Sequence, residues 1–181
     1  MSEELEVLKI VTHRLSRTNI PYMVSGSMAA NYYTVPRMTR DIDIVIELSR
    51  TDVDKFVSLF QSDFYINKEM VEKEVRRHGI FNLIHSRSII KIDFIIKNPS
   101  AYQETAFSRK KEVLIKNSPM YFISPEDLVI SKLSWAKNSR SEMQLRDVRN
   151  LMETVDNLDL EYIDNWISQL GLEQIHKEAK Q

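Results

Sequence analysis

The amino-acid sequence predicts an α+β (α/β) fold in which a small mixed β-sheet is packed with helices and followed by a C-terminal helical segment. Two observations carry this expectation. Up to residue 123, short runs rich in Ile, Val, Phe and Tyr alternate with stretches whose apolar residues recur at helical spacing. From Ser124 onward the strand-like runs stop and only helical spacing remains. The sequence thus predicts an α/β core over residues 1–123 and a helical portion over 124–181 docked on it, with no repeat and no low-complexity linker between them.

Taken in order, Leu5, Leu8, Ile10, Val11 and Leu15 predict an amphipathic helix over 3–17, which Asn19 and Pro21 stop. Tyr22, Met23 and Val24 make a short apolar strand that runs into Ser25-Gly26-Ser27, and SMAANYY then suits a short helix. That is a strand, a tight turn and a helix N-terminus. Residues 42–48 predict a second strand, and Ser49 or Thr51 caps a helix over 52–60 with Val53, Phe56, Val57 and Phe60 on one face. The charged run KEMVEKEVRRH reads as helix, and IFNLI and SIIKIDFII suit adjacent strands joined by a tight His-Ser-Arg connection. After a short link come two more strand-like pieces, EVLI and MYFI. Ser124 as cap, Pro125 at the first helical position and Glu126 and Asp127 in the first turn announce the next helix. Three further helices are expected near 141–155, 159–169 and 172–180, with Gly171 between the last two.

Composition narrows the function classes. With 43% hydrophobic and 28% charged residues and a net charge of −1, the 181-residue chain has an ordinary globular balance, and bulk charge gives no support to a nucleic-acid partner. The absence of cysteine excludes disulfides, thiolate nucleophiles and Cys-based zinc sites. No apolar run has signal-peptide or membrane-spanning length, so no membrane association and a cytoplasmic location are expected.

The chemistry concentrates in acidic residues placed on apolar strands. Asp41 and Asp43 project to the same side of their strand while Ile42 and Ile44 project to the other. Two neighbouring carboxylates repel each other, and a divalent cation between them removes the conflict; Mg2+ or Mn2+ suits such oxygen ligands. Asp93, at the centre of IIKIDFII, costs several kcal/mol as a buried carboxylate unless it coordinates a metal or pairs with Lys91 or a nearby arginine. Upstream, Gly26 allows close backbone approach, Ser27 contributes a hydroxyl, and the free amides of a helix N-terminus attract phosphate oxygens. Together these make a triphosphate seat beside a metal seat. Lys132 shares a helical face with Leu128, Val129 and Ala136, which directs its ammonium either to a phosphate or base edge or to Asp147 on the next helix. Arg37 and Arg40 flank the acids and either meet phosphates or balance the carboxylates.

In this order and spacing, Gly26-Ser27, Asp41-x-Asp43 and Asp93 resemble the nucleotidyltransferase superfamily that includes DNA polymerase β. Within it, Arg37-x-Thr39-x-Asp41-Ile-Asp43 is most similar to the bacterial branch holding the AbiEii-type toxins and related small transferases, and SPEDLVISKLSWAK and RDVRNLM look like that branch's C-terminal helices. Ser27 stands where the branch often has a second glycine and follows the polymerase-like variant. The resemblance implies that Asp41 and Asp43 hold two magnesium ions, that Asp93 holds the catalytic metal and helps deprotonate an acceptor hydroxyl, and that Gly26 and Ser27 hold the β- and γ-phosphates of an NTP. It favours a phosphate role for Arg37 and makes a nucleotide contact an option for Lys132.

The implied activity is transfer of a nucleoside monophosphate from an NTP to tRNA, a protein side chain or a small molecule. The alternatives are an antitoxin-like or regulatory module that keeps the fold and binds a protein partner with little turnover, and a glycosyltransferase using Asp41-x-Asp43, in which Asp93 would lack a role. His13, His78, His85 and His176 show no metal-ligand spacing and are expected to be structural or exposed, and Trp135 and Trp166 to be core.

Overall fold

The computed structural model describes residues 2–180. Its elements run α1 (Glu3–Arg17), β1 (Tyr22–Ser25), α2 (Gly26–Tyr33), β2 (Asp41–Ile46), α3 (Val53–Phe60), β3 (Phe64–Tyr65), α4 (Lys68–Arg77), β4 (Ile80–His85), β5 (Lys91–Ile96), α5 (Ala101–Ser108), β6 (Lys111–Ile115), β7 (Ser118–Phe122), α6 (Pro125–Ser139), α7 (Glu142–Thr154), α8 (Leu160–Leu170) and α9 (Glu173–Ala179). The strands form one mixed sheet in the order β3-β4-β5-β2-β1-β7-β6. β1 is antiparallel to β2 and parallel to β7, and β2 is parallel to β5. None of the described helices is long and apolar enough to cross a membrane.

Period-2 alternation sorts the sheet's faces. Ile42, Ile44, Ile92, Phe94, Phe81 and Leu83 are buried on one face. There Phe56 and Phe60 of α3 pack edge-on or tilted against Phe81 and Phe94, with ring centroids 5.2 to 6.2 Å apart. The opposite face carries Asp41 and Asp43 on β2, Lys91 and Asp93 on β5, and Asn82 on β4, and it is exposed at Asn82.

Local chemistry sets most helix starts. Ser2, Asn67, Ser100, Ser124 and Asp159 each accept a hydrogen bond from a backbone amide of the first turn they cap. Ser49 does form the expected cap, but as a capping box with Asp52 around a 3-10 turn, Arg50–Asp52, that precedes α3. The link expected between β5 and β6 is itself a helix, α5, because Ser100 caps it and Tyr102, Ala106 and Phe107 bury one side. Its hydrophobic stripe is only three residues long, too short for periodicity to reveal.

The C-terminal helices meet the core through a buried carboxylate. Asp127, fully buried, accepts from Ser124 Oγ at 2.6 Å, Tyr162 Oη at 2.6 Å and Arg109 Nε at 3.2 Å. The Arg109 guanidinium lies 3.9 Å from the Tyr162 ring centroid, and Tyr102 Oη donates to the Asp127 carbonyl at 3.0 Å. Asp127 thereby joins α5, α6 and α8. Trp166 packs edge-on against Tyr102 at 5.3 Å and Tyr162 at 6.4 Å, as a core residue should. Trp135 does not. It is 48% exposed.

His176 on α9 is buried, its Nε2 without a hydrogen-bond partner among the described residues. Burial holds its pKa below the ordinary value; Lys180 adds to the depression and Asp164 opposes it. The folded state therefore keeps His176 neutral where the unfolded chain takes up a proton, so stability is lost as pH falls through the unfolded value of about 6.5. The expected loss is at most about 1.4 kcal/mol per pH unit. Thermal melts of the wild type and His176→Leu between pH 7.5 and 5.5 check it: the wild type should fall further, and parallel curves would exclude His176 as the cause.

Candidate active site

The site begins where β1 turns directly into α2. Gly26 has φ +59°, a left-handed conformation that a side chain strains, and it is the first residue of α2. Ser25 makes no side-chain cap, so the first-turn amides of α2 have no side-chain acceptor there. Antiparallel pairing sets Ser25 opposite Asp43, which brings the Asp43 carboxylate so close to Gly26 that a Cβ at Gly26 would overlap it. The glycine anticipated at the turn is thus required twice, by its φ and by Asp43.

β5 supplies the neighbouring rung. In the parallel register Asp43 faces Asp93 and Asp41 faces Lys91. Burial raises the Asp43 pKa above its ordinary value, and the negative charges of Asp93 and Asp41 raise it further while Lys132 and Lys91 pull it down. Lys91 Nζ sits 2.8 Å from Asp93 and 4.0 Å from Asp41, and its hydrogen bond to Asp93 raises the lysine pKa. The ion pair weighed for Asp93 from the sequence is therefore present. Among the described residues no three His, Asp or Glu side chains are gathered into a formed metal cage. The residue types nevertheless suit a divalent cation: Asp41 and Asp43 share one face of β2 and Asp93 lies opposite Asp43 on β5, and burial together with the charges of Asp93 and Asp41 disfavours the ionised form of Asp43.

The basic residues assemble on the other side of Gly26. Arg37 donates to Ser27 Oγ at 2.7 Å and to both carboxylate oxygens of Asp147, at 3.2 and 3.0 Å. Lys132, almost fully buried, donates to the same Asp147 at 2.7 Å and to Gln144 Oε1 at 3.0 Å. Burial lowers the Lys132 pKa despite that partner; for Asp147 burial acts upward, and the hydrogen bonds from Arg37 and Lys132 outweigh it to leave the pKa lowered. Asn31 clamps the Arg37 backbone, accepting from its amide at 3.0 Å and donating to its carbonyl at 2.7 Å. Gly26, Ser27, Arg37, Lys132, Asp41, Asp43 and Asp93 all gather at one end of β1, β2 and β5. Asn31 and Gln144 belong to the same network and carry no sequence signal, since each lies in an ordinary polar helix position. Arg40 is exposed and takes no part in the Asp147 network.

Gly26→Ala tests the close approach. The backbone alone should cost about 1–2 kcal/mol, and displacement of Asp43 adds to it. In Gly26→Ala/Asp43→Ala the carboxylate part of the overlap is removed and only the Cβ of residue 43, at 2.8 Å, remains, so urea unfolding should show the double variant less destabilised than the sum of the singles. Simple additivity would refute the contact.

No protein-family model and no curated relative matches the sequence. Solved structures share its fold. An antigenic nucleotidyltransferase-like protein from Paracoccidioides brasiliensis superposes with a TM-score of 0.60 at 18% identity, over 97% of this chain and 93% of that one. The antibiotic-resistance factor ANT(2'')-Ia gives 0.58 at 12% identity, over 95% of this chain and 92% of that one. A lincosamide antibiotic adenylyltransferase in lincomycin-bound form gives 0.56 at 15% identity, over 86% and 98%. At these identities the likeness is one of fold, and the mixed sheet with its attached helices is the fold of these nucleotidyltransferase-like proteins.

Proposed function

We propose that the protein is a divalent-metal-dependent nucleotidyltransferase that moves a nucleoside monophosphate from an NTP to a hydroxyl acceptor. The observation that carries this reading is the close approach of Gly26 to Asp43 while Asp93 stands opposite Asp43 on β5. It puts a phosphate-binding turn and an acidic pair within one small space. The shared fold supports the reading, as does the order of the motifs.

In this reading the free amides at the start of α2 and the Ser27 hydroxyl receive the β- and γ-phosphates, and Arg37, already on Ser27, adds a cation. Asp41 and Asp43 hold Mg2+ or Mn2+, with Asp93 as third ligand once Lys91 releases it. The metal, when bound, neutralises phosphate charge and lowers the pKa of an oxygen nucleophile. The acceptor oxygen attacks the α-phosphorus, the new P–O bond forms as the bond to the β-phosphate breaks, and pyrophosphate departs; Asp93 takes the acceptor's proton. Positioning and electrostatics supply most of the acceleration. The acceptor is tRNA, a protein side chain or a small hydroxyl-bearing molecule, and the resemblance of the Arg37-x-Thr39-x-Asp41 run to the AbiEii-type branch supports a place near its toxin–antitoxin pairs.

One observation favours a second reading, a regulatory module that binds a protein partner with little turnover. Lys91 already neutralises Asp93. Incubation of the protein with each α-labelled NTP and a cell extract separates the two, since a binding module labels nothing.

The decisive variants are Asp41→Asn and Asp43→Asn. Each should abolish Mg2+-dependent NTP binding in calorimetry and lower label transfer by on the order of a hundredfold or more. Folding should survive: the raised Asp43 pKa means its ionised form is disfavoured in the fold, so Asp43→Asn is at least as stable as the wild type at pH 7. Wild-type NTP affinity in either variant would overturn the metal-site reading.

A further inference from the structure

We infer that Trp135 is the platform on which the base of the nucleoside triphosphate stacks, an assignment that rests on the nucleotidyl-transfer reading of the neighbouring site. Trp135 leaves nearly half its surface, 48%, in water, whereas the chain's other tryptophan, Trp166, packs between Tyr102 and Tyr162. An indole that exposed leaves apolar aromatic surface in water, the kind of surface on which stacking builds.

Its position is what ties it to the site. Trp135 lies three residues beyond Lys132 on α6, so the two are neighbours about one turn apart, Lys132 buried against α7 and Trp135 beside it at the exposed edge. Lys132 touches Asp147 at 2.7 Å, and Asp147 holds Arg37, which donates to Ser27 Oγ at 2.7 Å. A continuous line of contacts therefore runs from the phosphate turn to the helix that carries Trp135. A turn of helix advances about 5.4 Å, so Trp135 stands roughly one turn along α6 from the lysine that joins this network.

Gln144 supports the same placement. Lysine can only donate, so the 3.0 Å contact from Lys132 fixes the Gln144 carbonyl oxygen toward the ammonium and leaves its amide nitrogen pointing elsewhere. That NH2 accompanies no acceptor among the described residues and stands beside the lysine as a donor for a base edge. Stacking on an indole tolerates every base, so the platform itself implies affinity for NTPs as a class, with purines favoured by their larger face.

The test compares ATP with inorganic tripolyphosphate, both with Mg2+, by calorimetry and by tryptophan emission in the Trp166→Phe background, where Trp135 is the only indole. ATP should quench the emission, while tripolyphosphate should compete for the same seat and leave it unchanged. Trp135→Ala should weaken ATP binding by on the order of tenfold and leave tripolyphosphate affinity alone, and Trp135→Phe should retain most of the ATP affinity. ATP that binds without quenching, or with equal affinity to Trp135→Ala, overturns the platform and leaves the transferase reading standing. A wild-type chain that binds neither probe overturns that reading, and this inference falls with it.

Discussion

The structure around the site depends on one carboxylate holding two cations. Asp147 lies on α7, Lys132 on α6, and Arg37 on the segment that leads into β2, so a single side chain binds the C-terminal helices to the segment before the acidic strand. Burying Lys132 costs several kcal/mol unless a counter-charge accompanies it, and removing one partner of such a pair leaves the other uncompensated. The geometry repays that cost: both carboxylate oxygens are used, and the planar Arg37 fork meets them side by side. Apolar packing alone would let α6 and α7 settle in several nearby positions. The charged contact selects one, in which Asp147 ties α6 and α7 to Arg37 and, through Arg37, to Ser27.

A second balance concerns negative charge. Setting Asp43 opposite Asp93 on adjacent strands is unfavourable in itself, and the Asp93 charge adds to the burial that raises the Asp43 pKa. Lys91 relieves the pressure at the Asp93 end, from a position two residues earlier on the same strand and hence on the same face. A helical or apolar protein would have no reason to keep such a rung. In a sheet otherwise built of Ile, Val and Phe such a rung costs stability, a cost that the proposed metal role accounts for.

Much of this was legible in the sequence, and what was not has identifiable causes. Asp41, Asp43 and Asp93 stand out because a carboxylate interrupts an apolar strand, a local contrast that needs no partner to be noticed. Gly26 is legible for the same reason, as a rare glycine after a strand, yet its contact with Asp43 depends on the β1–β2 register. The Lys132–Asp147 pair could be seen as a face-to-face possibility between consecutive helices. Asn31 and Gln144 could not, because a single amide on a helix gives no periodic signal and its partners lie in other elements. Trp135 was misread since its sequence neighbours are apolar, and only the packing of α6 decides which side faces water. α5 escaped notice because eight residues with three buried side chains hardly differ from a loop.

The convergence of these residues follows from the strand directions. β1 and β7 run the same way and end together, at Ser25 and Phe122. β2 and β5 pair in parallel and start together, at Asp41 and Lys91, and β2 is antiparallel to β1. The C-terminal ends of one pair therefore coincide with the N-terminal ends of the other. In a fully parallel sheet the Gly26 turn and the acidic strand starts would lie at opposite edges, a strand's length apart. Here the reversal between β1 and β2 brings them into contact, and α6, leaving the end of β7, starts from the same edge. A slip of one residue between β1 and β2 would turn Asp43 to the apolar face, and the buried Ile42 and Ile44 on either side of it make that slip expensive. The hydrophobic alternation that builds the core is thus also what aims the carboxylates.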